Sequence, residues 1–239
     1  MKWALQSDIR IEAEPKIDNA ICPLCKEKVI PKCGRIVTWH WAHKSLQDCD
    51  VWYEPESQWH LDWKNKFPKE CQEVIIKKEE KFHIADIKVN EKVIELQNSS
   101  ISPNEIKERE KFYGNMIWIL NGDKFARNLS LRYKGNYFSF RWKHPPKSWW
   151  DSNKLIYIDL SPLVDLYKIQ IKRYKQRMNS FKEHEYYSID FDYEIKTLKD
   201  KIEICKNNLF LIKKIHTQCP CGGWGILICK NKFIEENNG

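Results

Sequence analysis

Glycine, long apolar runs and repeats are all scarce in this sequence. It has 8 glycines in 239 residues, and its longest purely apolar run, Met116 to Leu120, falls far short of the roughly 20 residues that span a bilayer. Residues 1–8 contain no continuous apolar stretch, so we expect no secretory signal peptide. No fixed-period repeat or long low-complexity segment is present. These absences exclude a collagen-like or membrane-spanning chain and favour a cytoplasmic protein.

The composition is that of an ordinary folded protein with a surplus of positive charge. Hydrophobic residues make up 42% and charged residues 31%, which excludes a disordered chain. The 41 Lys and Arg exceed the 33 Asp and Glu, and the net charge of +8 favours a polyanionic partner. In a reducing compartment the nine cysteines are not expected to form a disulfide framework. Their grouping near both ends of the chain predicts metal binding instead.

Local patterns predict a mixed α/β core in the middle of the chain. Pro55 and its acidic neighbours suit the first turn of a helix over residues 55–67. A Ser102–Pro103 start signal predicts a second helix that ends near Tyr113. Segments with strand character, the last of them fully apolar, cover residues 73–76, 82–89, 93–97 and 116–120. Strand, hairpin, helix and buried strand in this order are typical of an α/β fold with a mixed sheet.

Three regions differ in their local chemistry. We predict an N-terminal metal-binding module at 1–53, an α/β core at 54–122 and a basic, helical region at 123–239. Within the last region, helical spacing predicts a helix over 161–181 and a further charged helix over 193–214.

Two carboxylates of the predicted hairpin carry the chemistry. Side chains of alternate strand residues share a face, so Glu95 and Gln97 project together, and the hairpin can bring Asp86 beside Glu95. Adjacent carboxylates repel each other unless a cation lies between them, and such oxygen ligands suit Mg²⁺ or Mn²⁺. Glu56 is available as a third carboxylate. On spacing alone, solvated surface acids are the alternative interpretation.

The N-terminal cysteines predict a structural zinc site. Cys22 and Cys25 form a Cys-x-x-Cys turn that offers two thiolates to one Zn²⁺. We favour His43 and Cys49 as the other two ligands, because the second pair of ligands usually comes from one local segment. His40 is the main substitute, and Cys33 is a further candidate; His40 packed between two tryptophans is the alternative.

The C-terminal cysteines form a second, less regular candidate zinc site. Cys219, Cys221 and Cys229 can provide three ligands, with the fourth open between His216 and Cys205. Buried free thiols are the alternative interpretation of this group.

The residues above resemble those of the CoiA-like competence proteins, in which an N-terminal metal-binding module precedes a PD-(D/E)xK core of the restriction-endonuclease-like type. The resemblance covers roughly residues 20–122. Its carriers are Cys22-Pro23-Leu24-Cys25, Trp39-His40-Trp41-Ala42-His43, Glu56-Ser57 with His60 and Lys64, Ala85-Asp86-Ile87, and Ile94 to Ser102 with Arg109 and Tyr113.

The resemblance implies roles for several of these residues. Asp86 and Glu95 match acidic ligands of a catalytic Mg²⁺ or Mn²⁺, and Glu56 matches the helical acid that completes such a site. Gln97 stands where many relatives of the broader fold carry Lys; its amide can orient a water or a phosphate oxygen but lacks the positive charge. Three further carriers are expected to contact phosphate or support the site: Ser99, Arg109 and Tyr113. The alternative for Arg109 is an ordinary charge on a helix surface, and for Tyr113 it is a core residue.

A basic and aromatic stretch from Lys124 to Trp150 suits a nucleic-acid partner. It contains seven basic residues, eight aromatic residues and no acid. Cations neutralise phosphates and exposed rings stack on unpaired bases, although aromatic residues in strands are more often core. The cations that we expect to contact phosphate here and on the helix over 161–181 are Arg127, Arg132, Lys134, Arg141, Lys143, Lys168, Lys172 and Lys175.

These observations favour a Mg²⁺- or Mn²⁺-dependent DNA nuclease. The resemblance implies a role in DNA uptake, recombination or defence against foreign DNA, with DNA and recombination or defence proteins as partners and no membrane. One alternative is a DNA-binding recombination accessory protein on a nuclease-like scaffold without catalysis. Another is a zinc-dependent protein-interaction module.

Overall fold

The computed structural model describes residues 1–44, 49–52, 54–181, 190–216 and 222–238. The chain divides into two compact units. Unit 1 comprises Met1–Ser99, Glu108–Ile117 and Asn237–Gly239, and unit 2 comprises Ser100–Lys107 and Trp118–Glu236. In the described residues, no helix combines the length and apolar character needed to cross a bilayer.

Unit 1 begins with two small antiparallel sheets. Strands β1 (Trp3–Gln6) and β2 (Ile9–Glu12) form the first, and β3 (Val29–Lys32) and β4 (His40–His43) form the second. The register of the second sheet places Val29 opposite His43. The side chain of Trp41 is fully buried in the core between these strands, and its indole N–H donates to the Ile11 carbonyl oxygen. This anchor fixes β4 and with it the position of His43.

Helix α1 (Gln58–Lys64) follows and is shorter than the predicted 55–67. Ser57 is its N-cap: the Ser57 hydroxyl accepts the backbone N–H of His60, while the His60 ring accepts the backbone N–H of Ser57. This reciprocal cap fixes the start of the helix three residues later than the position of Pro55 suggests.

The larger sheet of unit 1 carries the predicted hairpin. Its strands, in the spatial order β5-β6-β7-β8, are β5 (Gln72–Lys78), β6 (Lys81–Val89), β7 (Lys92–Gln97) and β8 (Met116–Asn121). The pairs β5–β6 and β6–β7 are antiparallel. Helix α2 (Pro103–Tyr113) connects β7 to β8, and both α2 and β8 have residues in each unit. The predicted strands and the second predicted helix are confirmed.

Unit 2 contains the end of β8 and five more strands, in the spatial order β8-β11-β12-β13-β10-β9. These five strands are β9 (Leu129–Tyr133), β10 (Phe138–Trp142), β11 (Leu155–Asp159), β12 (Asn208–His216) and β13 (Gly222–Cys229). The helices of this unit are α3 (Gly122–Phe125), α4 (Leu163–Phe181), α5 (Phe191–Cys205) and α6 (Lys230–Glu236). The predicted mixed α/β fold class is confirmed.

One helix prediction in unit 2 is wrong over its last nine residues, 206–214. The charged helix expected over 193–214 ends at Cys205, and residues 208–216 form strand β12. Leu209, Phe210 and Leu211 are all buried, as in a strand that is covered on both faces. Burial in the sheet therefore overrides the helical charge pattern of the preceding residues.

Candidate active site and metal centre

A cavity of about 60 Å³ in unit 1 gathers the acidic residues of the core. Six carboxylates line it: Asp50, Glu54, Glu56, Glu73, Asp86 and Glu95. The positive charges of the lining are the side chains of Lys64 and Arg109 and the N-terminal amino group of Met1, which lies 3.7 Å from Glu56 Oε2. The wall also includes His43, His60, Cys49 and Trp52. The predicted acids Glu56, Asp86 and Glu95 therefore share one cavity, whose lining has an excess of negative charge.

Asp86 and Glu95 meet where strands β6 and β7 separate. The antiparallel register of the two strands runs from Val89–Lys92 to Ile87–Ile94. Beyond it, the backbone N–H of Asp86 donates to Glu95 Oε1 at 3.2 Å, and the backbone N–H of Leu96 donates to Asp86 Oδ2 at 3.0 Å. Each carboxylate thus accepts a backbone N–H of the neighbouring strand, in the place of a main-chain carbonyl oxygen. These two hydrogen bonds hold both side chains between the strands.

Glu95 is buried beside Arg109. Arg109 Nη1 donates to Glu95 Oε2 at 3.1 Å, and Arg109 Nη2 donates to the Trp52 carbonyl oxygen at 2.9 Å. Burial and the nearby Asp86 carboxylate raise the pKa of Glu95 to about 8, although Arg109 acts in the opposite direction. Arg109 is itself buried, so its position is that of a support for Glu95.

Lys64 lies among three carboxylates. Its Nζ atom is 3.1 Å from both carboxylate oxygens of Glu56, 2.9 Å from Glu73 Oε1 and 3.1 Å from Asp86 Oδ1. Burial alone would lower the pKa of Lys64, but Glu56, Glu73 and Asp86 together raise it well above its usual value. A permanent ammonium therefore occupies the acidic end of the cavity.

Glu73 is not among the site residues predicted from the sequence, and Lys64 is named there only among the residues that carry the family resemblance. Glu73 lies on β5, where its carboxylate accepts the backbone N–H groups of Lys2 and Trp3. The signal for Lys64 is its spacing: four residues after His60, it shares the helix face that is buried. No comparable periodic signal distinguishes Glu73 from a surface acid.

His60 connects helix α1 to strand β7. Its Nδ1 atom is 2.9 Å from the Ser57 hydroxyl, and its Nε2 atom donates to the Leu96 carbonyl oxygen at 3.3 Å. Burial opposes protonation, but Glu54, 3.4 Å from Nε2, and the Asp86 charge raise the pKa of His60. The ring thus ties the capped end of α1 to the strand that carries Glu95.

The other residues singled out around β7 lie outside the cavity lining. Gln97 is buried, and its amide donates to the Ser99 carbonyl oxygen at 3.1 Å. Ser99 is exposed, and Tyr113 is buried with its ring edge against Trp52. The roles expected for Gln97 and Ser99 stay predictions.

Four predicted zinc ligands come together at the other end of the cavity wall. The ligand atoms of Cys22, Cys25, His43 and Cys49 all lie within 4.8 Å of one another. Cys22 Sγ and Cys49 Sγ are 3.7 Å apart, and Cys25 Sγ is 3.2 Å from His43 Nε2. Zn–S bonds of about 2.3 Å in a tetrahedron separate two sulfurs by about 3.8 Å, so this Cys₃His cluster can hold a zinc ion.

The thiol chemistry of this cluster also suits a metal. Contact with Cys49 and the backbone N–H groups of Cys25 and Leu24 lower the pKa of Cys22 to about 5, against the effect of burial. A thiolate, the form that binds metal, is therefore favoured at Cys22. The other candidates, His40 and Cys33, are not in the cluster that the described residues form.

The segment after Cys49 joins the cluster to the acidic residues. Asp50 Oδ2 accepts the backbone N–H of Ile84 at 2.7 Å, and Asp50 Oδ1 lies 2.8 Å from His83 Nδ1. Burial opposes ionisation, but these two contacts lower the pKa of Asp50. Because the Trp52 carbonyl oxygen holds Arg109, a continuous path of contacts leads from Cys49 to Glu95.

The second predicted zinc site lies partly outside the described residues. Cys219 and Cys221 belong to the stretch that the structure does not describe, whereas Cys229 is exposed and Cys205 is buried. The second zinc site stays a prediction.

The predicted phosphate-contacting cations of unit 2 are all exposed. Arg132, Lys134 and Arg141 line one groove. Arg127 is engaged by Asp123 at 2.7 Å, and Lys168 lies 3.3 Å from Asp165. The remaining exposed cations of this set are Lys143, Lys172 and Lys175.

The chain was compared with protein families, curated proteins and solved structures. Residues 7–52 match the family described as competence protein CoiA, N-terminal domain. The match includes Cys22, Cys25, His43 and Cys49, and it supports the resemblance to CoiA-like competence proteins. No curated protein and no solved structure was found to match the chain.

Proposed function

Because its N-terminal segment matches competence protein CoiA, we propose that this chain is a Mg²⁺- or Mn²⁺-dependent DNA nuclease acting in DNA uptake, recombination or defence against foreign DNA. The observation that carries the proposal is the reciprocal contact of Asp86 and Glu95 in a cavity lined by six carboxylates. Asp86 and Glu95 would hold the metal ion, with Glu56 assisting.

The charge of the cavity supports a bound cation. Six carboxylates face three positively charged groups in its lining, namely Lys64, Arg109 and the N-terminal amino group of Met1, and the remaining excess of negative charge is costly in a buried setting. The raised pKa of Glu95 has the same origin, since burial and Asp86 disfavour its ionised form. A bound Mg²⁺ or Mn²⁺ would polarise a phosphodiester and lower the pKa of a bound water.

Lys64 would supply the positive charge that Gln97 lacks. A Lys is expected at the position of Gln97 in many relatives of the broader fold, whereas here an ammonium reaches Asp86 from helix α1 at 3.1 Å. The same ammonium also contacts Glu56 and would orient it towards the cavity. In this role Lys64 would stabilise negative charge that develops on a phosphate oxygen.

Arg109 and His60 would act as positioning residues. Arg109 donates a hydrogen bond to one carboxylate oxygen of Glu95, and the backbone N–H of Asp86 donates to the other. His60 fixes the backbone of Leu96 directly after Glu95. Both contacts limit the rotation of the Glu95 side chain, which preorganises the site.

One observation favours the non-catalytic alternative. Lys64 already neutralises part of the charge of Glu56, Glu73 and Asp86, as in a buried ionic network that needs no metal. In that case the chain would bind DNA as a recombination accessory protein without cutting it.

Cleavage of circular DNA separates these two functions. Purified protein is incubated with single-stranded circles and supercoiled plasmid in Mg²⁺ or Mn²⁺, and products are resolved on a gel. We expect cleavage by the wild type and its loss by at least a hundredfold in Asp86→Asn and Glu95→Gln, because each removes a metal ligand charge.

Matched controls come from acids outside the cavity. Glu91→Gln changes an exposed acid in the turn of the same hairpin, and Asp165→Asn changes an exposed acid of α4. Both are expected to cut DNA at the wild-type rate. Cleavage that persists in Asp86→Asn and Glu95→Gln, or none by the wild type in either metal, would contradict the proposal.

A further inference from the structure

One face of the four strands β9, β10, β13 and β12 in unit 2 combines cations with an exposed tryptophan. Directly paired residues of neighbouring strands share a face. One row across the four strands consists of Arg132, Ser139, Trp224 and Lys214, and the next consists of Ser130, Arg141, Gly222 and His216. We call these two rows the basic face.

The opposite face of the same strands is core. Phe140 and Trp142 alternate with Arg141 along β10 and are buried, and the Phe140 ring lies edge-on to Phe210 at 5.7 Å. A Cβ atom at Gly223 would lie 2.5 Å from the Phe140 ring, so glycine there permits this packing. The buried side fixes the register, and the register directs Arg132, Arg141 and Trp224 to solvent.

The cations of the basic face are available to a ligand. In the part of the chain that the structure describes, Arg132, Arg141 and Lys214 form no ion pair with a carboxylate. Arg132 and Arg141 border an open groove of about 570 Å³, together with the hydroxyl-bearing Ser130 and Ser139. Cations and hydroxyls without a facing acid are the groups that contact phosphate oxygens.

Two aromatic rings complete this surface. Tyr137 and Trp224 lie edge to face with their ring centroids 5.8 Å apart, and each is 37% exposed. An exposed tryptophan in mid-strand leaves apolar area in water and stands out beside the buried tryptophans of this unit. Flat rings among cations are the arrangement on which unpaired bases stack while phosphates are neutralised.

We propose that the basic face binds single-stranded DNA, with a base stacked on Trp224 and phosphates held by Arg132, Arg141 and Lys214. In a duplex the bases are stacked on one another, and none is free to stack on a protein side chain. The aromatic pair Tyr137 and Trp224 therefore favours single-stranded over double-stranded DNA as the ligand. The inference rests on the proposed function, because it specifies that the DNA substrate is single-stranded. It makes a statement about DNA binding and none about cleavage.

Binding is measured without cleavage, by fluorescence anisotropy in buffer with neither added divalent metal nor chelator. The probes are a mixed-sequence oligodeoxynucleotide, an abasic oligonucleotide of the same length and charge, and the matching duplex. We expect Trp224→Ala to weaken binding of the normal single strand about tenfold, the range of one lost stacking contact, and to leave the abasic probe unaffected. Trp224→Phe keeps a ring and should retain most of the affinity.

Variants of the cations should behave differently. Arg132→Ala and Arg141→Ala are expected to weaken binding of the normal and the abasic probe alike. Each should reduce the slope of log affinity against log salt by about 0.7, the value for one phosphate contact of a single strand. Arg35→Ala, a change at an exposed arginine of unit 1, provides the control.

The matched control for the ring is Trp39→Ala, which removes an exposed tryptophan of unit 1 and should leave affinity unchanged. Equal affinity of Trp224→Ala and the wild type for the normal strand would overturn the inference. So would tighter binding of the duplex than of the single strand. Ring-dependent binding of the single strand here, together with no cleavage of circular DNA in Mg²⁺ or Mn²⁺, would support this inference and refute the nuclease proposal, so the two can fail separately.

Discussion

Lys64 reaches Asp86 from a different element, with its Nζ atom 3.1 Å from Asp86 Oδ1. The same Nζ lies 2.9 Å from Glu73 Oε1, so one buried ammonium joins helix α1 to strands β5 and β6. An ion pair of this kind holds elements in register, and its loss leaves charges without compensation. The functional proposal and the stability of unit 1 therefore depend on the same side chain.

Replacing Lys64 should destabilise the protein strongly. Lys64→Gln leaves the buried carboxylates of Glu56, Glu73 and Asp86 without their cation, and we expect the free energy of unfolding to fall by about 3–5 kcal/mol. Chemical denaturation measures this change. Lys66→Gln, at an exposed lysine two residues later, should cost less than about 0.5 kcal/mol. If Lys64→Gln/Glu73→Gln is no more stable than Lys64→Gln alone, uncompensated charge is not the cause.

Without added divalent metal, stability should fall as pH rises from about 5 to 8. Burial and Asp86 raise the pKa of Glu95 to about 8, whereas the unfolded chain ionises this group at its ordinary lower pKa. Between the two values the folded state binds one more proton, so rising pH favours unfolding by at most about 1.4 kcal/mol per pH unit. Below the unfolded pKa both states are protonated, and above 8 both are ionised, so the effect levels off.

Glu95→Gln checks the origin of this pH dependence, because the amide cannot titrate. Denaturant titrations at a series of pH values should show a shallower decline for Glu95→Gln than for the wild type. Glu91→Gln, with its exposed side chain, should follow the wild type. An identical decline in the wild type and in Glu95→Gln would assign it to another group.

Removal of one cluster cysteine should abolish metal binding at the Cys₃His cluster. We expect elemental analysis to find zinc in the purified wild type and to find this zinc lost in Cys49→Ser, because a structural site needs all four ligands. Cys33→Ser provides the matched control and should retain the zinc. Since Cys49 connects through Asp50 and Arg109 to Glu95, DNA cleavage should also fall in Cys49→Ser. Loss of zinc in Cys33→Ser would indicate that Cys33 is a zinc ligand and would contradict the assignment of the four ligands to Cys22, Cys25, His43 and Cys49.

Adjacent glycines of β13 should differ in their tolerance of a methyl group. Gly223→Ala puts a Cβ 2.1 Å from the Lys214 carbonyl oxygen and 2.5 Å from the Phe140 ring, whereas the nearest atom to a Cβ at Gly222 is 3.5 Å away. We expect Gly223→Ala to cost about 1–3 kcal/mol in the free energy of unfolding, the usual range for overpacking. Gly222→Ala should cost less in the same thermal or denaturant melt. Equal costs would indicate a general effect of glycine replacement.

Much of the candidate site follows from local patterns. The Cys-x-x-Cys spacing of Cys22 and Cys25 indicates a metal turn, and the period of two along β7 places Glu95 and Gln97 on one face. The hairpin between β6 and β7 then brings Asp86 beside Glu95. Such signals depend on neighbours within a few residues, which is why they can be detected without a structure.

Other parts of the site have no local signal. Glu73 joins Lys64 only because strand β5 lies next to β6 in the sheet, and Arg109 reaches Glu95 only because helix α2 packs there. The charge pattern of the residues up to Cys205 predicts a helix that continues to 214, yet residues 208–216 are a strand because Leu209, Phe210 and Leu211 are buried in the sheet. In each case the deciding interaction is with a residue distant in the chain.

The amino-acid sequence by itself determined the secondary structure of the hairpin, the Cys22 and Cys25 turn of the candidate zinc site and the pair Asp86 and Glu95, because periodicity and spacing act over one element. Only the tertiary structure decided that Lys64 stands among the carboxylates and that Trp224 lies between Arg132 and Lys214 across the strands. Packing between elements and strand register set those positions, and neither is encoded in any single segment.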